Sequence, residues 1–294
     1  MDISLYDYAF AHHEHPQSIV TGKQSKNINY IRDHTSKDRI RINTDENIYR
    51  PFDERDSKAN YALLLEPRSY KPHLYDNIHQ VIQKYDKILT HDKSLIDSGA
   101  EFVGLKYDSN PFEFYPFGGC WIPEEMYGIP EKDKDISFIY SDKKELQGHK
   151  LRHAINCVIC SEGYNVDMYG RGTERPLECK SDALRRYRFS LVIENVRKDW
   201  WFTEKLLDCF ALGVIPIYWG CPDIGKFFDT DGMIIVKNIN EIKQALSGLN
   251  LSGEDGEISA AMIYEGKREA IQRNFELFKQ YAITDDWLYE NILK

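Results

Sequence analysis

Residues 193–220, IENVRKDWWFTEKLLDCFALGVIPIYWG, decide the fold class of this chain. They join the end of one apolar strand, through a polar loop with two adjacent tryptophans, to a short helix and a second apolar strand. Thr203 precedes the helix as a candidate N-cap, and Gly213 stands where the helix gives way to the next strand. A strand, a helix and another strand in this order are typical of a parallel sheet covered by helices.

Strands and helices alternate on both sides of this segment. Apolar runs predict strands at residues 61–66, 87–92, 135–141, 164–170 and 233–237, and helical periodicity predicts helices at 73–85, 149–162, 240–249 and about 259–280. The segment 112–132, rich in Pro, Gly and aromatic residues, indicates a connection between two domains, which we place at 1–125 and 126–294. Residues 1–50 are polar and weakly patterned, so they give no firm strand count.

Composition excludes several classes of protein. Lys and Arg total 38 against 47 Asp and Glu, and the net charge of −9 argues against a broad nucleic-acid-binding surface. No run of roughly 18 apolar residues predicts a membrane span, and the first thirty residues lack the apolar core of a signal peptide. Six cysteines in a chain of 294 residues do not suggest a disulfide framework. We therefore expect a soluble, cytoplasmic protein.

The segment 193–220 resembles the donor-binding motif of the inverting alpha-1,3/1,4-fucosyltransferases that use GDP-fucose. Three parts carry the resemblance: the triplet Ile193-Glu194-Asn195, the helix start Thr203-Glu204-Lys205, and the strand IPIYWG at 215–220. The likeness is clear over residues 187–228 and weaker back to about residue 135. Two positions depart from the family pattern, since Trp201 stands where the family favours Tyr and Gly, and Ile193 replaces Phe.

The resemblance implies a GT-B architecture: two Rossmann-like α/β domains with parallel sheets facing across a cleft, the donor being held by the second domain. It implies that Lys205 contacts the donor phosphates, that Glu204 binds ribose or sugar hydroxyls, and that Asn195 orders the loop. Arg152 resembles the family arginine that meets the pyrophosphate. The implied donor substrate is GDP-fucose, and no metal or other cofactor is expected.

The chemistry of these residues suits a diphosphate. A helix N-terminus with a lysine in its first turn attracts anions, and the planar fork of an arginine can bind two phosphate oxygens. Arg171, between two glycines after the strand at 164–170, and Trp201, in the polar loop, are further donor-site candidates. Alternatively, Arg152 and the Glu204-Lys205 pair are ordinary exposed charges, Arg171 lies in a simple turn, and Trp201 packs between domains.

An inverting transfer needs a base that takes the proton of the acceptor hydroxyl. Glu66 is the candidate, because it ends the apolar strand YALLLE and Pro67 stops that strand at the carboxyl edge of the sheet. The resemblance implies a Glu in a similar place. Alternatively, Glu66 is an acid in a turn that pairs with Arg68. The reserve candidates are Asp92, Glu113 and Glu124.

Three other patterns do not predict a metal site. The run HHEH at 12–15 lacks cysteine partners at zinc spacing. Cys157 and Cys160 fall within a predicted helix without a second pair, so we expect them to pack in the core. The Asp229-Thr-Asp231 sequence matches a metal-binding DxD only as a short pattern that is frequent in acidic chains.

The expected activity is transfer of fucose from GDP-fucose to a hydroxyl of a glycan acceptor, with no nucleic-acid partner. A related GT-B transferase with another nucleotide sugar is one alternative. A non-catalytic glycan- or nucleotide-binding module that kept the donor pocket and lost the base is the other.

Overall fold

The computed structural model describes residues 1–7, 15–20, 22–32, 35–104, 106–250 and 259–294, except the side chain of residue 250. The chain divides into two compact units. Unit 1 contains Met1–Gly119 together with Asp199–Trp201 and Ile283–Lys294, and unit 2 contains Cys120–Lys198 and Phe202–Ala282. The assignment of acceptor and donor roles to residues 1–125 and 126–294 stays a prediction.

Unit 1 contains a six-stranded sheet in which every described pair of neighbouring strands is parallel. The strand order is β2-β1-β3-β4-β5-β6. The strands are β1 (Asp2–Tyr6), β2 (Asn29–Arg32), β3 (Ile40–Thr44), β4 (Ala59–Leu64), β5 (Lys87–Thr90) and β6 (Phe112–Phe114), and the helices are α1 (Pro72–Asp76) and α2 (Lys93–Ser98).

The first fifty residues hold three of these strands, which the sequence did not reveal. β1 to β3 are four or five residues long. β2 has no buried residue, and β1 and β3 carry polar side chains at buried positions, among them Arg41, Asn43 and Thr44 in β3. Asn43 donates a hydrogen bond to the Tyr85 hydroxyl, and Thr44 donates one to Asp7. Because polar residues occupy buried positions in β1 and β3, these strands lack the continuous apolar run that marks a buried strand.

Unit 2 contains a five-stranded sheet, again parallel throughout its described pairs, in the order β11-β10-β9-β7-β8. Its strands are β7 (Lys134–Ile139), β8 (Asp167–Tyr169), β9 (Tyr187–Ile193), β10 (Ile215–Trp219) and β11 (Ile234–Ile235). Its helices are α3 (Gln147–Glu162), α4 (Glu204–Ala211), α5 (Ile239–Asn250), α6 (Ala260–Glu265) and α7 (Arg268–Leu277). The last helix of the chain, α8 (Thr284–Leu288), belongs to unit 1.

The central strands of both units match the apolar runs from which they were predicted. β9 and β10 are buried almost along their whole length and pair in parallel from Phe189 opposite Ile215 to Ile193 opposite Trp219. Two predicted helices are broken. The segment 73–85 forms α1 followed by two short 3-10 helices, and the segment 259–280 is interrupted at Gly266 and Lys267 between α6 and α7.

None of the described helices combines the length and hydropathy that crossing a membrane requires.

Candidate functional site

A cavity of about 170 Å³ lies in unit 2 at the carboxyl ends of β7 and β9. Its lining includes Tyr140 and Ser141 after β7, Ile193 at the end of β9, and side chains from α3 and α4. The charged residues of the lining are Arg152, Lys180, Glu204, Lys205 and Asp208. Ligands of parallel α/β sheets bind at this edge, so the cavity has the expected place for a site.

The start of α4 is fixed to the end of β9 by a buried carboxylate. Glu194 has no exposed surface, and its two oxygens accept hydrogen bonds from the Thr203 backbone N–H at 2.9 Å and the Thr203 hydroxyl at 2.8 Å. The Thr203 hydroxyl in turn accepts from the Lys205 backbone N–H at 3.3 Å, as an N-cap does. The backbone N–H groups of Thr203 and Lys205 therefore already donate to oxygens of the protein. An anion at the start of α4 would be attracted mainly by cationic side chains.

Arg152 and Asn195, which the sequence predicted as site residues, are in direct contact. The guanidinium of Arg152 donates to the Ile193 carbonyl oxygen, through Nε at 3.2 Å and also through Nη2, and to Asn195 Oδ1 at 3.0 Å. Burial lowers the pKa of Arg152, and the carboxylates of Glu194 and Glu204 oppose that shift. Because the hydrogen-bond partners are neutral oxygens, they orient the guanidinium without cancelling its charge.

Glu204 lies between two lysines. Its Oε1 is 2.9 Å from Lys205 Nζ and 3.7 Å from Lys180 Nζ. Burial alone would raise the pKa of Glu204, but Lys205 and Lys180 outweigh burial and lower it to about 2. Glu204 is therefore a carboxylate at neutral pH and can accept hydrogen bonds from hydroxyl groups.

Trp201 does not line this cavity. It belongs to unit 1, where its indole is 2% exposed and packs against the rings of His91, at 4.3 Å between centroids, and Phe117, at 4.6 Å. The preceding Trp200 has a left-handed backbone with φ of 63° and packs edge-on against Phe114. Both large rings of the polar loop thus have packing partners, and the donor role of Trp201 stays a prediction.

Arg171 and Glu66 also lie apart from the cavity lining. Arg171 is exposed in the turn after β8, where Gly170 has φ of 104° and packs on the Tyr140 carbonyl oxygen. Glu66 is half-buried in unit 1, two residues beyond β4, and its backbone carbonyl accepts a hydrogen bond from the Tyr75 hydroxyl. The donor role of Arg171 and the base role of Glu66 stay predictions.

The reserve bases occupy structural positions. Asp92 caps α2 and pairs with Arg68 Nε at 3.1 Å. The alternative interpretation of Glu66 as a turn acid had paired Arg68 with Glu66 instead. Glu113 pairs with Lys87 across neighbouring strands. Glu124 opens a short 3-10 helix.

The other singled-out patterns have different outcomes. Cys157 and Cys160 are exposed on α3, so their predicted place in the core was wrong. Asp229 caps a short 3-10 helix and pairs with Arg273. His12, His13 and Glu14 lie outside the described residues. Within the described part of the chain, no three His, Cys, Asp or Glu side chains are grouped to hold a metal ion.

Sequence reasoning missed Lys180 and Asp208. Lys180 precedes β9 in a 3-10 helix, and Asp208 lies one turn after Glu204 on α4, where its side chain is 1% exposed. An aspartate inside the apolar run LLDCFAL is itself a signal, because a buried carboxylate requires a partner. Nothing in the sequence pointed to the partner, which comes from a different element.

Comparison with known proteins defines this part of the chain. Residues 129–257 match the family model described as glycosyltransferase family 10 (fucosyltransferase), C-terminal. This segment is therefore similar to the C-terminal domain of glycosyltransferase family 10. The matched segment includes Arg152, Asn195, Glu204 and Lys205, whereas Glu66 lies outside it. The resemblance on which the sequence interpretation rested is confirmed.

Two curated relatives agree with this assignment. The chain is 29% identical over 216 residues to an alpha-(1,3)-fucosyltransferase, FucT, of Helicobacter pylori, a match that covers 73% of this chain and 42% of the relative. It is 34% identical over 99 residues to GDP-fucose protein O-fucosyltransferase 3 of Danio rerio, covering 33% of this chain and 21% of the relative. The chain thus spans less than half the length of either relative.

Solved structures confirm the fold class. The GtfA/B complex matches with a TM-score of 0.51 at 12% identity, over 87% of this chain and 57% of that one. The Staphylococcus aureus TarM structure matches with the same TM-score at 10% identity, over 86% and 55%. An alpha1,3-fucosyltransferase with GDP-fucose aligns over 83% and 81% at 17% identity, with a TM-score of 0.45. The GT-B class predicted from the sequence, with two parallel α/β units, is confirmed.

Proposed function

We propose that this protein is an inverting glycosyltransferase that transfers fucose from GDP-fucose to a hydroxyl of a glycan acceptor without a metal ion. The observation that carries the proposal is the grouping of Arg152, Glu204 and Lys205 around one cavity inside the segment that matches the family 10 model. The relatives named above support fucose as the sugar and GDP as the nucleotide.

The cations of the cavity suit the leaving group of this reaction. When the bond between the sugar and the diphosphate breaks, negative charge grows on the bridging oxygen, and fixed positive groups stabilise it. Arg152 is held rigidly by Ile193 and Asn195, and Lys205 extends from the first turn of α4. In this proposal Arg152 and Lys205 bind the diphosphate, and Glu204 accepts a hydrogen bond from a ribose or sugar hydroxyl.

Glu66 acts as the base in this proposal. Its carboxylate takes the proton of the acceptor hydroxyl while the hydroxyl oxygen forms a bond to the anomeric carbon, opposite the diphosphate. The bond from that carbon to the phosphate oxygen breaks, and GDP leaves with the electron pair. The configuration inverts because a single displacement occurs. Glu66 follows β4 at the carboxyl edge of the sheet in unit 1, where such a base would be expected.

The location of the protein is also a proposal. All six cysteines lie within the described residues and are free thiols, as expected for a reducing compartment such as the cytoplasm.

Two substitutions separate donor binding from proton transfer. Lys205→Ala should weaken GDP-fucose binding by roughly tenfold to 150-fold, because a hydrogen bond between charged groups contributes about 1.5–3 kcal/mol. Glu66→Gln should leave GDP-fucose affinity unchanged and lower kcat by about 10²- to 10⁴-fold. Calorimetric titration measures the first effect, and product formation at saturating donor measures the second.

Lys243→Ala is the matched control, because Lys243 pairs with Glu162 away from the cavity lining. It should change neither quantity. Full turnover in Glu66→Gln would remove Glu66 as the base, and unchanged donor affinity in Lys205→Ala would remove Lys205 from the phosphate site.

A further inference from the structure

Lys180 shares the cavity lining with Arg152, Glu204 and Lys205, although no motif includes it. It opens the 3-10 helix Lys180–Ala183, which precedes β9, and its side chain is 25% exposed. Its ammonium group also lies over the ring of Trp121, 5.4 Å from the centroid. Lys180 is therefore a partly enclosed cation rather than a freely solvated one.

Asp208 anchors Lys180. The Asp208 side chain is 1% exposed, its Oδ1 accepts a hydrogen bond from the Trp121 backbone N–H at 2.6 Å, and its Oδ2 is 2.8 Å from Lys180 Nζ. The backbone contact fixes the carboxylate, and the carboxylate fixes the ammonium group. Separating the two groups would leave the buried Asp208 carboxylate without its cation, which costs free energy. The pair is therefore expected to stay together.

Glu204 and Asp208 are separated by one helical turn and face the same side of α4. Lys180 contacts both, at 3.7 Å from Glu204 Oε1 and 2.8 Å from Asp208 Oδ2. Lys205 approaches the same Oε1 at 2.9 Å. Two ammonium groups from different elements therefore hold one oxygen of Glu204, which restricts rotation of the carboxylate.

We infer that Lys180 is a positioning residue of the donor site: anchored by Asp208, it holds the Glu204 carboxylate, together with Lys205, in the orientation that accepts a hydrogen bond from a donor hydroxyl. This inference rests on the proposed function. It assigns Lys180 no contact with the donor phosphates, which are left to Arg152 and Lys205.

Charge balance supports this role. When the buried Glu194 is counted with the lining residues, three cations (Arg152, Lys180 and Lys205) balance three carboxylates (Glu194, Glu204 and Asp208), and the carboxylates are in excess without Lys180. Glu204 would then take up a proton more readily, since Lys180 helps to lower its pKa to about 2 against the effect of burial. A protonated Glu204 donates one hydrogen bond and accepts less well. The charged groups that act on Glu204 are Lys205 and Asp208 from α4, Lys180, Arg152 from α3, and Glu194 after β9.

The test is GDP-fucose binding by Lys180→Met between pH 5 and pH 8, measured calorimetrically with the full chain. We expect affinity to fall about tenfold at pH 7.5 and further as the pH decreases, whereas wild-type affinity stays nearly constant over this range. Lys180→Arg should restore most of the affinity. Lys134→Met is the matched control, because Lys134 is 33% exposed and pairs with Asp167 at 2.8 Å at the amino end of β7.

A double-mutant cycle with Glu204→Gln decides how Lys180 acts. If Lys180 works through Glu204, Lys180→Met causes little further loss of affinity in the Glu204→Gln background. Equal losses in both backgrounds, independent of pH, would show a direct contact with the donor and overturn the inference. If Lys180→Met fails to fold, Lys180→Met/Asp208→Asn removes both charges of the pair. It should still lower the affinity, because Glu204 loses one of the two ammonium groups that hold its oxygen, but with a weaker pH dependence, because cations and carboxylates stay equal in number. Wild-type protein that binds no GDP-fucose would overturn both the proposed function and this inference, whereas wild-type-like binding by the variant would overturn the inference alone.

Discussion

At the scale of single residues, Asp45 in unit 1 has an environment that disfavours its charged form. It follows β3 with φ of 43°, and its side chain is 1% exposed. Oδ1 accepts a hydrogen bond from the Leu65 backbone N–H at 2.8 Å, and Oδ2 lies 3.9 Å from Lys71 Nζ. Burial raises the pKa of Asp45 to about 7, although the Leu65 hydrogen bond and Lys71 oppose the shift.

Asp45→Asn should therefore stabilise the protein more at pH 8 than at pH 4. The folded pKa lies above the unfolded value of about 3.9, so the native state binds the extra proton between about pH 4 and pH 7, and the stability due to Asp45 falls as the pH rises through that window. Asn keeps an acceptor for Leu65 and tolerates a positive φ. We expect the free energy of unfolding gained by Asp45→Asn to be about 2–4 kcal/mol larger at pH 8 than at pH 4. Urea denaturation at the two pH values measures this difference.

Asp53→Asn is the control for this measurement, because Asp53 lies in an exposed pair with Arg55. An equal gain at both pH values for Asp45→Asn would show that Asp45 is not protonated in the native state near neutral pH.

At the scale of elements, the contact between α3 and the end of β9 places Arg152. Gly148 in the first turn of α3 donates its N–H to the Asn195 carbonyl oxygen at 2.9 Å, and a Cβ at Gly148 would lie 1.7 Å from the Glu194 carbonyl oxygen. Gly148→Ala must push α3 away from β9. We expect the free energy of unfolding to fall by about 1–3 kcal/mol, as measured by thermal denaturation. We also expect weaker GDP-fucose binding, as measured by calorimetric titration.

Gly163→Ala is the comparison variant. Gly163 ends the same helix with φ of 70°, and a Cβ there would meet no atom within 4 Å. It should cost about 1 kcal/mol from the backbone conformation alone and leave donor binding intact. Wild-type donor affinity in Gly148→Ala would mean that the close contact does not position Arg152.

The elements also show how far the sequence could predict this structure. β4, β5, β7, β9 and β10 were predicted because strands buried on both faces read as continuous apolar runs. β1 and β3 were missed because buried polar residues interrupt their apolar pattern, and β2 was missed because it has no buried residue. Arg152 and Glu204 were located through a motif, but Lys180 was not, since its partner Asp208 lies 28 residues further along the chain.

At the scale of the whole molecule, a single linear boundary does not describe the two units. Asp199–Trp201 and Ile283–Lys294 group with unit 1 although unit 2 supplies the chain on either side of the first segment. Thr284 and Asp285 hydrogen-bond to Gln17, and Asp285 also accepts from Tyr30 at 2.8 Å. The C-terminal segment thus joins unit 1 through contacts between residues more than 250 positions apart. Hydrophobic periodicity, which is a local pattern, does not encode such contacts.

The central claim, that GDP-fucose is the donor and binds in a site built from cationic side chains, is tested most directly by calorimetric titration of the purified protein in EDTA. The titrants are GDP-fucose, GDP-mannose, UDP-glucose and UDP-GlcNAc. We predict selective binding of GDP-fucose without a divalent ion, because in the proposed site Arg152 and Lys205 would supply the positive charge for the diphosphate. Preference for a uridine nucleotide, or binding that requires a divalent ion, would contradict the proposed donor and its metal-free recognition.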